Sequence, residues 1–323
     1  MDPFGRTIDY LRISVTDRCN ERCLYCMPEG YKGWTRRADH MTAAEIVRAA
    51  EAATHLGFRK FRLTGGEPLV RGDIIAIAQD LWNLPGVETL GISTNGSRLA
   101  PLAKDLKQAG VRSLNISLDA LDPALYQRIT GGRIADVLAG IDAAREAGFE
   151  SIKLNCVLMR GVNESEFLPL AHYAADRGMP LRFIELMPVS RADVLNPSTF
   201  LPVDEVMRRF GHGTEDLFAM PAFQPGHGPA KYYFHRPLGT MIGFIGALTN
   251  PHFCESCNKL RLTADGKLRP CLGRHGEVDM LAALRAGTAD PAALLREAIA
   301  NKPENHEFTS CYQPDRPMVA IGG

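Results

Sequence analysis

The sequence has no excess of either charge. Its 37 basic and 37 acidic residues balance, so its global electrostatics give no argument for a nucleic-acid partner. No apolar run approaches the length a membrane-spanning helix needs, and the opening Met1-Asp2-Pro3-Phe4-Gly5-Arg6 lacks the apolar centre of a secretory signal. A soluble, cytoplasmic protein with neither nucleic acid nor membrane as partner is expected. Cysteine is too sparse for a disulfide framework. Six of the eight in this 323-residue chain sit in two tight clusters, which suits metal binding in a reducing compartment. Of the other two, Cys156 lies in an apolar run and reads as a buried core thiol, while Cys311 has no identifiable partner. The 45% hydrophobic and 23% charged residues are those of a globular protein able to bury a large core. The length exceeds one average domain, yet also fits a single barrel with an appendage.

The first cluster is Cys19-Asn20-Glu21-Arg22-Cys23-Leu24-Tyr25-Cys26, directly after the apolar-rich run Leu11–Val15. Soft thiolates select iron-sulfur clusters, zinc or copper. Three thiols with no nearby fourth Cys or His leave one corner of a cubane unfilled, and an open metal corner is a chemical site. The alternative is a zinc knob with a distant ligand, although structural zinc takes four ligands and usually CxxC pairs.

Strand and helix patterns then alternate. A capping-box sequence, Thr42-Ala43-Ala44-Glu45, opens a helix that Gly57 stops. Strands are expected near 61–63, 89–93, 113–117, 151–157 and 181–185, and helices near 74–82, 99–109, 134–147 and 166–177. With the first strand this makes six βα units, hence a parallel sheet with right-handed crossovers. Strands covered on both faces should be almost continuously apolar, and these are not. Arg12, Ser14, Arg62, Thr64, Gly91, Ser93, Asn115, Ser117, Lys153, Asn155 and Arg182 share one face by period-two alternation, and Leu and Ile take the other. A polar face repeated over six strands reads as the lining of a lumen that holds a polar ligand. The fold expected is α/β, a partial, open (β/α)6 TIM-type barrel over residues 1–188, with an α+β region at 189–323 covering its open side.

Active groups of such barrels collect at the C-terminal ends of the strands, and the motifs fall there. Thr64-Gly65-Gly66-Glu67-Pro68 follows strand two, where glycines permit close backbone approach. Ser93-Thr94-Asn95-Gly96 and Ser117-Leu118-Asp119-Ala120 follow strands three and four, where plain turn chemistry is an equal reading. Beyond Met187-Pro188 the rhythm ends. A helix near 203–210, strand-like runs at 231–234 and 241–245, and a second trio, Cys254, Cys257 and Cys271, follow. Its CxxC is joined to the third Cys through a hairpin turning at 264–267. Structural zinc with His252 or His275 as fourth ligand is the alternative there, but Lys259 and Arg261 beside the trio favour an anionic ligand.

CxxxCxxC, with Tyr before the last Cys, and Gly-Gly-Glu-Pro together resemble the radical S-adenosylmethionine (radical SAM) enzymes. The two trios, Leu260-Arg261-Leu262-Thr263-Ala264-Asp265-Gly266-Lys267 and the terminal Gly322-Gly323 narrow the resemblance to the GTP 3′,8-cyclases, which open molybdenum cofactor biosynthesis. The resemblance implies a SAM-binding 4Fe-4S cluster on Cys19, Cys23 and Cys26, and SAM contacts from Tyr25, Gly66, Ser117 and Met187. It implies a second 4Fe-4S cluster on Cys254, Cys257 and Cys271, whose open iron binds guanine. GTP contacts would come from Arg12, Arg62, Ser93, Lys153, Lys259, Leu260 and Arg261, with Lys60 and Arg182 as further triphosphate candidates. Arg12, Arg62, Lys153, Gly322 and Gly323 are the candidates for a part in catalysis. The implied reaction takes hydrogen from C3′ of GTP with a 5′-deoxyadenosyl radical and closes C3′ onto C8. Implied partners are a low-potential electron donor such as flavodoxin or ferredoxin and, by product transfer, cyclic pyranopterin monophosphate synthase; a homodimer is allowed. Two positions depart from the family pattern: Ser93 replaces Thr, and Lys259 replaces Arg and gives up the planar fork. A peptide-modifying radical SAM enzyme would bring a separate peptide-binding module, and none is evident. A non-enzymatic iron-sulfur or zinc scaffold would leave the lined lumen without a purpose.

Overall fold

The computed structural model describes the chain except residues 28–30, 33, 35, 190–194, 309–311 and 323. Cys311 and Gly323 therefore lie outside the described residues. The strands of the alternating half are β1 (Tyr10–Ser14), β2 (Lys60–Thr64), β3 (Thr89–Thr94), β4 (Ser113–Ser117), β5 (Ser151–Leu158) and β6 (Leu181–Glu185). Their helices are α1 (Ala43–His55), α2 (Ile74–Trp82), α3 (Ala103–Gln108), α4 (Pro123–Thr130), α5 (Ile134–Glu146) and α6 (Phe167–Asp176). The capping box at Thr42 and Glu45 is formed. Helix α3 starts four residues later than the expected Leu99. Helix α4 escaped the sequence reading, though Asp122 caps it, Pro123 fills its first position and Gly131, at φ 70°, ends it.

Strands β1 to β6 are consecutive and parallel. Their apolar faces are sealed: Leu11, Ile13, Leu63, Leu90, Ile92, Leu114, Ile116, Leu154, Leu181 and Phe183 are all fully buried. Helix faces such as Ile46, Ala49 and Ala53 of α1, and Val137, Ile141 and Ala144 of α5, are buried in the same core. The hydrophobic effect therefore fixes which face turns inward, and the polar residues are left to line the other side.

The remaining elements are α7 (Val203–Arg209), β7 (Leu217–Ala219), β8 (Lys231–His235), β9 (Thr240–Ile245), β10 (Lys259–Leu262), β11 (Lys267–Arg269), β12 (Val278–Asp279), α8 (Met280–Ala286), α9 (Pro291–Ala300) and α10 (Met318–Ile321). They do not form a separate sheet. The order is β12-β11-β10-β1-β2-β3-β4-β5-β6-β9-β8-β7, so the second half of the chain extends the barrel sheet at both edges. Strand β10 runs parallel to β1, and β9 parallel to β6. The sheet is open, and among the described residues no helix is long and apolar enough to cross a membrane.

Candidate active site

Register brings the cations together. Arg12 of β1 pairs with Arg62 of β2 on one side and with Arg261 of β10 on the other. Three guanidinium-bearing residues thus stand on adjacent strands, whose spacing is about 4.8 Å. Room for them comes from glycine. A Cβ on Gly91, the β3 partner of Arg62, would lie 2.6 Å from the Arg62 guanidinium, and one on Gly243 would press on Arg182 at 2.9 Å. Further along the lumen Ser93 pairs with Asn115, Asn115 with Lys153, and Asn155 with Arg182.

These cations hold neutral oxygens. Arg62 is buried and donates to Tyr10 Oη (2.6 Å), the Ile92 carbonyl (2.8 Å) and Ser113 Oγ (3.0 Å). Lys153, 1% exposed, donates to Ser151 Oγ (2.5 Å) and the Pro225 carbonyl (3.0 Å). Arg182 donates to Asn155 Oδ1 at 2.8 Å, Lys259 to Asn258 Oδ1 at 3.2 Å, and Arg261 to the Gly322 carbonyl at 2.6 Å. Among the described residues none of these five makes an ion pair with a carboxylate. Burial, with neighbouring cations adding to it, lowers the proton affinities of Lys153, Arg182, Lys259, Arg261 and Arg12. Burial, with Arg182 and Arg62 adding to it, pushes Lys153 down to about 7. Burial and then Arg261 push Arg12 down to about 9. Lys60 differs, because Asp9 holds its ammonium at 2.6 Å at the rim. Leu260 turns its side chain into the core, fully buried, so only its backbone can face a ligand.

At the C-terminal ends of β1 and β2 the first cysteine loop meets the Gly-Gly-Glu-Pro turn. Gly66 N donates to the Thr16 carbonyl (2.8 Å) and Glu67 N to that of Arg18 (2.8 Å). A Cβ on Gly66 would run into the Arg18 carbonyl, so glycine is required there by close approach. The buried Glu67 carboxylate accepts from Leu69 N (3.0 Å), Thr94 Oγ1 (2.7 Å) and Asn95 N (2.7 Å), tying the β2 and β3 loops together. The loop is also pinned to the end of α4, where Arg22 N and Leu24 N donate to the carbonyls of Thr130 and Ile129. Tyr25 donates its hydroxyl to Asp119 (2.7 Å), and Tyr126 donates to Glu21 (3.0 Å). Ser117, at the end of β4, is half-buried on the same side.

The thiols of each trio lie close enough to act on one another's charge. Burial pushes Cys19 and Cys26 up to about 12 and Cys23 well above its ordinary value. Glu21 and Glu67 rise to about 8 and about 7, chiefly by burial. In the second trio burial again acts first, but Lys302 and Lys259 outweigh it at Cys257, whose thiol is lowered. Neither candidate histidine is turned to the trio: His252 pairs with Glu255 (2.6 Å) and His275 meets the Gln313 carbonyl (2.8 Å). Among the described residues no three His, Cys, Asp or Glu side chains converge on a single-ion site.

The apolar tail forms α10, and Gly322 follows it with φ 85°. A Cβ on Gly322 would lie 2.8 Å from Ser14 Cβ and 3.1 Å from Thr64 Cγ2, so Gly322 lies over the last pair of β1 and β2 residues. Met318 packs with Met187, Phe308, Tyr312 and Leu272 in one small cluster. Met187 thereby links the β6 loop to the tail and to the residue after Cys271. Sequence reasoning passed over Glu21, Asp119, Asp9, Arg6 and Lys302. Only Asp119 carried a signal, its place in the turn after β4.

Residues 13–174 match the model of the radical SAM superfamily, and residues 179–308 that of Molybdenum Cofactor Synthesis C. A GTP 3′,8-cyclase of Pelotomaculum thermopropionicum is 44% identical over 326 residues, covering 100% of this chain and 99% of the relative. That of Rhizobium etli is 43% identical, covering 99% of this chain and 92% of the relative. Among solved structures, Streptococcus suis SuiB bound to its precursor peptide SuiA matches with a TM-score of 0.63 at 14% identity, covering 98% of this chain and 70% of SuiB. Native anSMEcpe with bound AdoMet matches with a TM-score of 0.57 at 14% identity, covering 93% of this chain and 82% of the other. Those two likenesses concern the fold alone.

Proposed function

Since the chain belongs to the GTP 3′,8-cyclase family of radical SAM enzymes, we propose that it cyclises GTP to (8S)-3′,8-cyclo-7,8-dihydroguanosine 5′-triphosphate with its two trios and its cationic lumen in separate roles. The observation that carries the reading is the set Arg62, Lys153, Arg182, Lys259 and Arg261, gathered in one lumen with neutral oxygens as described partners. Burying cations is expensive unless an anion meets them, and a triphosphate supplies several negative charges for charge-assisted hydrogen bonds.

The donor chemistry fits an iron-sulfur cluster at each trio. Among the described residues each trio offers three thiols and no further His, Cys, Asp or Glu gathers with them, a donor set that leaves one corner of a cubane open. The high proton affinity of Cys19, Cys23 and Cys26 means that iron must displace their protons, as thiolate ligation requires. Cys19, Cys23 and Cys26 hold the SAM-binding 4Fe-4S cluster, and Cys254, Cys257 and Cys271 hold the second. When bound, the first cluster and SAM supply the radical that takes hydrogen from the GTP ribose.

The chain's own residues bind, orient and exclude water. Arg12, Arg62 and Arg261 form a rank that receives phosphate oxygens, and Lys153 and Arg182 close the far side. Ser93 offers a hydroxyl between them. Lys259 faces the guanine end beside Cys257, and the Leu260 backbone lies alongside. Gly66 keeps the cluster loop and the β2 turn in contact, leaving Tyr25, Ser117 and Met187 around SAM. Gly322 brings bare backbone to the ends of β1 and β2, where Arg261 holds its carbonyl, and Gly323 shares its part in catalysis. Lys60, already paired with Asp9, serves the rim. An electron donor of low potential, such as flavodoxin or ferredoxin, is needed for turnover. Anaerobic reconstitution with iron and sulfide analysis, followed by product formation from SAM and GTP, tests the reading. Two clusters and the cyclised nucleotide are expected; one cluster plus zinc, or SAM cleavage indifferent to GTP, would overturn it.

A further inference from the structure

Lys302, just beyond α9, is 4% exposed. Lysine is almost never buried without a counter-charge. Its ammonium donates to the carbonyls of Lys259 (2.8 Å) and Pro270 (2.8 Å), and among the described residues no carboxylate pairs with it. The two carbonyls have meaningful places: Lys259 lies two residues after Cys257, and Pro270 directly precedes Cys271. One ammonium therefore ties together the two chain segments that deliver the second and third thiols. Its charge also reaches both Cys257 and Cys271. The first thiol has a similar clamp from the other end of the chain. Arg6 donates to the Cys254 carbonyl (3.0 Å) and to the carbonyls of Glu304 (2.8 Å) and Pro303 (2.5 Å). Asp2 compensates Arg6 at 2.6 Å, whereas Lys302 has no such carboxylate among the described residues.

We propose that Lys302 is a positioning residue of the second cluster, clamping the Lys259 and Pro270 carbonyls that flank Cys257 and Cys271 and setting a fixed positive charge against the thiolate-bound iron. The proposal rests on Cys254, Cys257 and Cys271 holding a 4Fe-4S cluster. Such a cluster with three thiolates is net negative, and it is the counter-charge that Lys302 otherwise lacks. Net charge and hydrogen bonding around the sulfurs set the reduction potential, so this lysine raises it. Outer residues of this kind also govern metal retention.

The test uses the full-length chain carrying Cys19→Ala, Cys23→Ala and Cys26→Ala, reconstituted anaerobically so that only the second trio is loaded. Lys302→Met keeps the apolar stem and removes the charge; Lys302→Gln is the second variant. Redox titration followed by electron paramagnetic resonance should show a lower potential in both, and a chelator should reveal roughly 10- to 100-fold weaker iron retention. Failure to load in both variants, with the unfolding midpoint of the cluster-free chain unchanged, also supports the clamp. Unchanged potential and retention would overturn the proposal, even if the cluster-free chain were less stable. If the chain with Lys302 intact binds no cluster in this background, the second-cluster reading falls instead.

Discussion

The two cysteine trios sit in different surroundings, acidic side chains around the first and basic ones around the second. Around the first, Glu21, Glu67 and Asp119 are buried carboxyl groups, which burial pushes toward holding their protons as it does all three thiols. Around the second stand Lys259, Arg261, Lys302 and Arg6, and one thiol moves the other way. In the proposed function a positive sulfonium would meet the acidic side chains of the first trio and a negative nucleoside triphosphate the cations of the second. The difference teaches that similar thiol sets become different sites through the charges behind them, as outer partners do at metal sites generally.

The largest effects should come from breaking one trio at a time. Cys23→Ala is expected to end SAM cleavage altogether. Cys257→Ala should lose half the iron and keep some abortive SAM cleavage while forming no cyclised product. Iron analysis with separate assays of 5′-deoxyadenosine and product checks this, and equal loss of both activities in both variants would dissolve the contrast.

Next in size is the tail. Gly322→Ala places a Cβ 2.8 Å from Ser14 Cβ at a residue with φ 85°, a sparsely populated conformation costing an L-residue roughly 1–3 kcal/mol. Cyclisation should fall steeply while both clusters and SAM cleavage persist. Deleting Gly322 and Gly323 should act the same way, and normal turnover by either protein would return the tail to a passive role.

Lys153→Met removes a charge-assisted contact worth about 1.5–3 kcal/mol, so GTP binding should weaken by about 10- to 150-fold. Calorimetry should find SAM binding almost unchanged, whereas parallel loss of both ligands would indicate misfolding. The same lysine gives a pH dependence. Its folded-state value, pushed down to about 7 from 10.5, lies below the unfolded one. Between these values the unfolded chain binds the extra proton, so this group's contribution to stability rises with pH across the window. GTP binding has the opposite slope, because phosphate recharges the lysine. Affinity should drop above pH 7 by at most about tenfold per pH unit for one linked proton, with Arg12, at about 9, extending the decline. Lys153→Met should flatten the first part, and a pH-independent affinity in the unaltered chain would exclude the linkage.

The smallest effect is expected at the rim. Lys60, one-fifth exposed and paired with Asp9, belongs to a class of ion pairs worth about 0.2–1 kcal/mol. Lys60→Gln should alter GTP affinity by less than about fivefold. A larger loss would move Lys60 from the rim to the triphosphate.

Much of this site was legible in the chain. Period-two alternation assigned Arg12, Arg62, Lys153 and Arg182 to one face because side-chain direction along a strand is local. The capping box at Thr42, the hairpin joining Lys259–Leu262 to Lys267–Arg269 and the thiol spacings are likewise local, and all are formed. Helix α4 was readable from Asp122, Pro123 and Gly131 but was overlooked. What only the tertiary structure decided is which strands become neighbours. No local pattern places β10 beside β1 and β9 beside β6, and no local pattern sets Arg261, Arg12 and Arg62 in one rank. The same holds for Lys302 between the Lys259 and Pro270 carbonyls and for Gly322 over Ser14 and Thr64. These contacts join segments far apart in the chain, and they follow from burial and packing of the whole sheet, whereas periodicity reports only the face a residue takes.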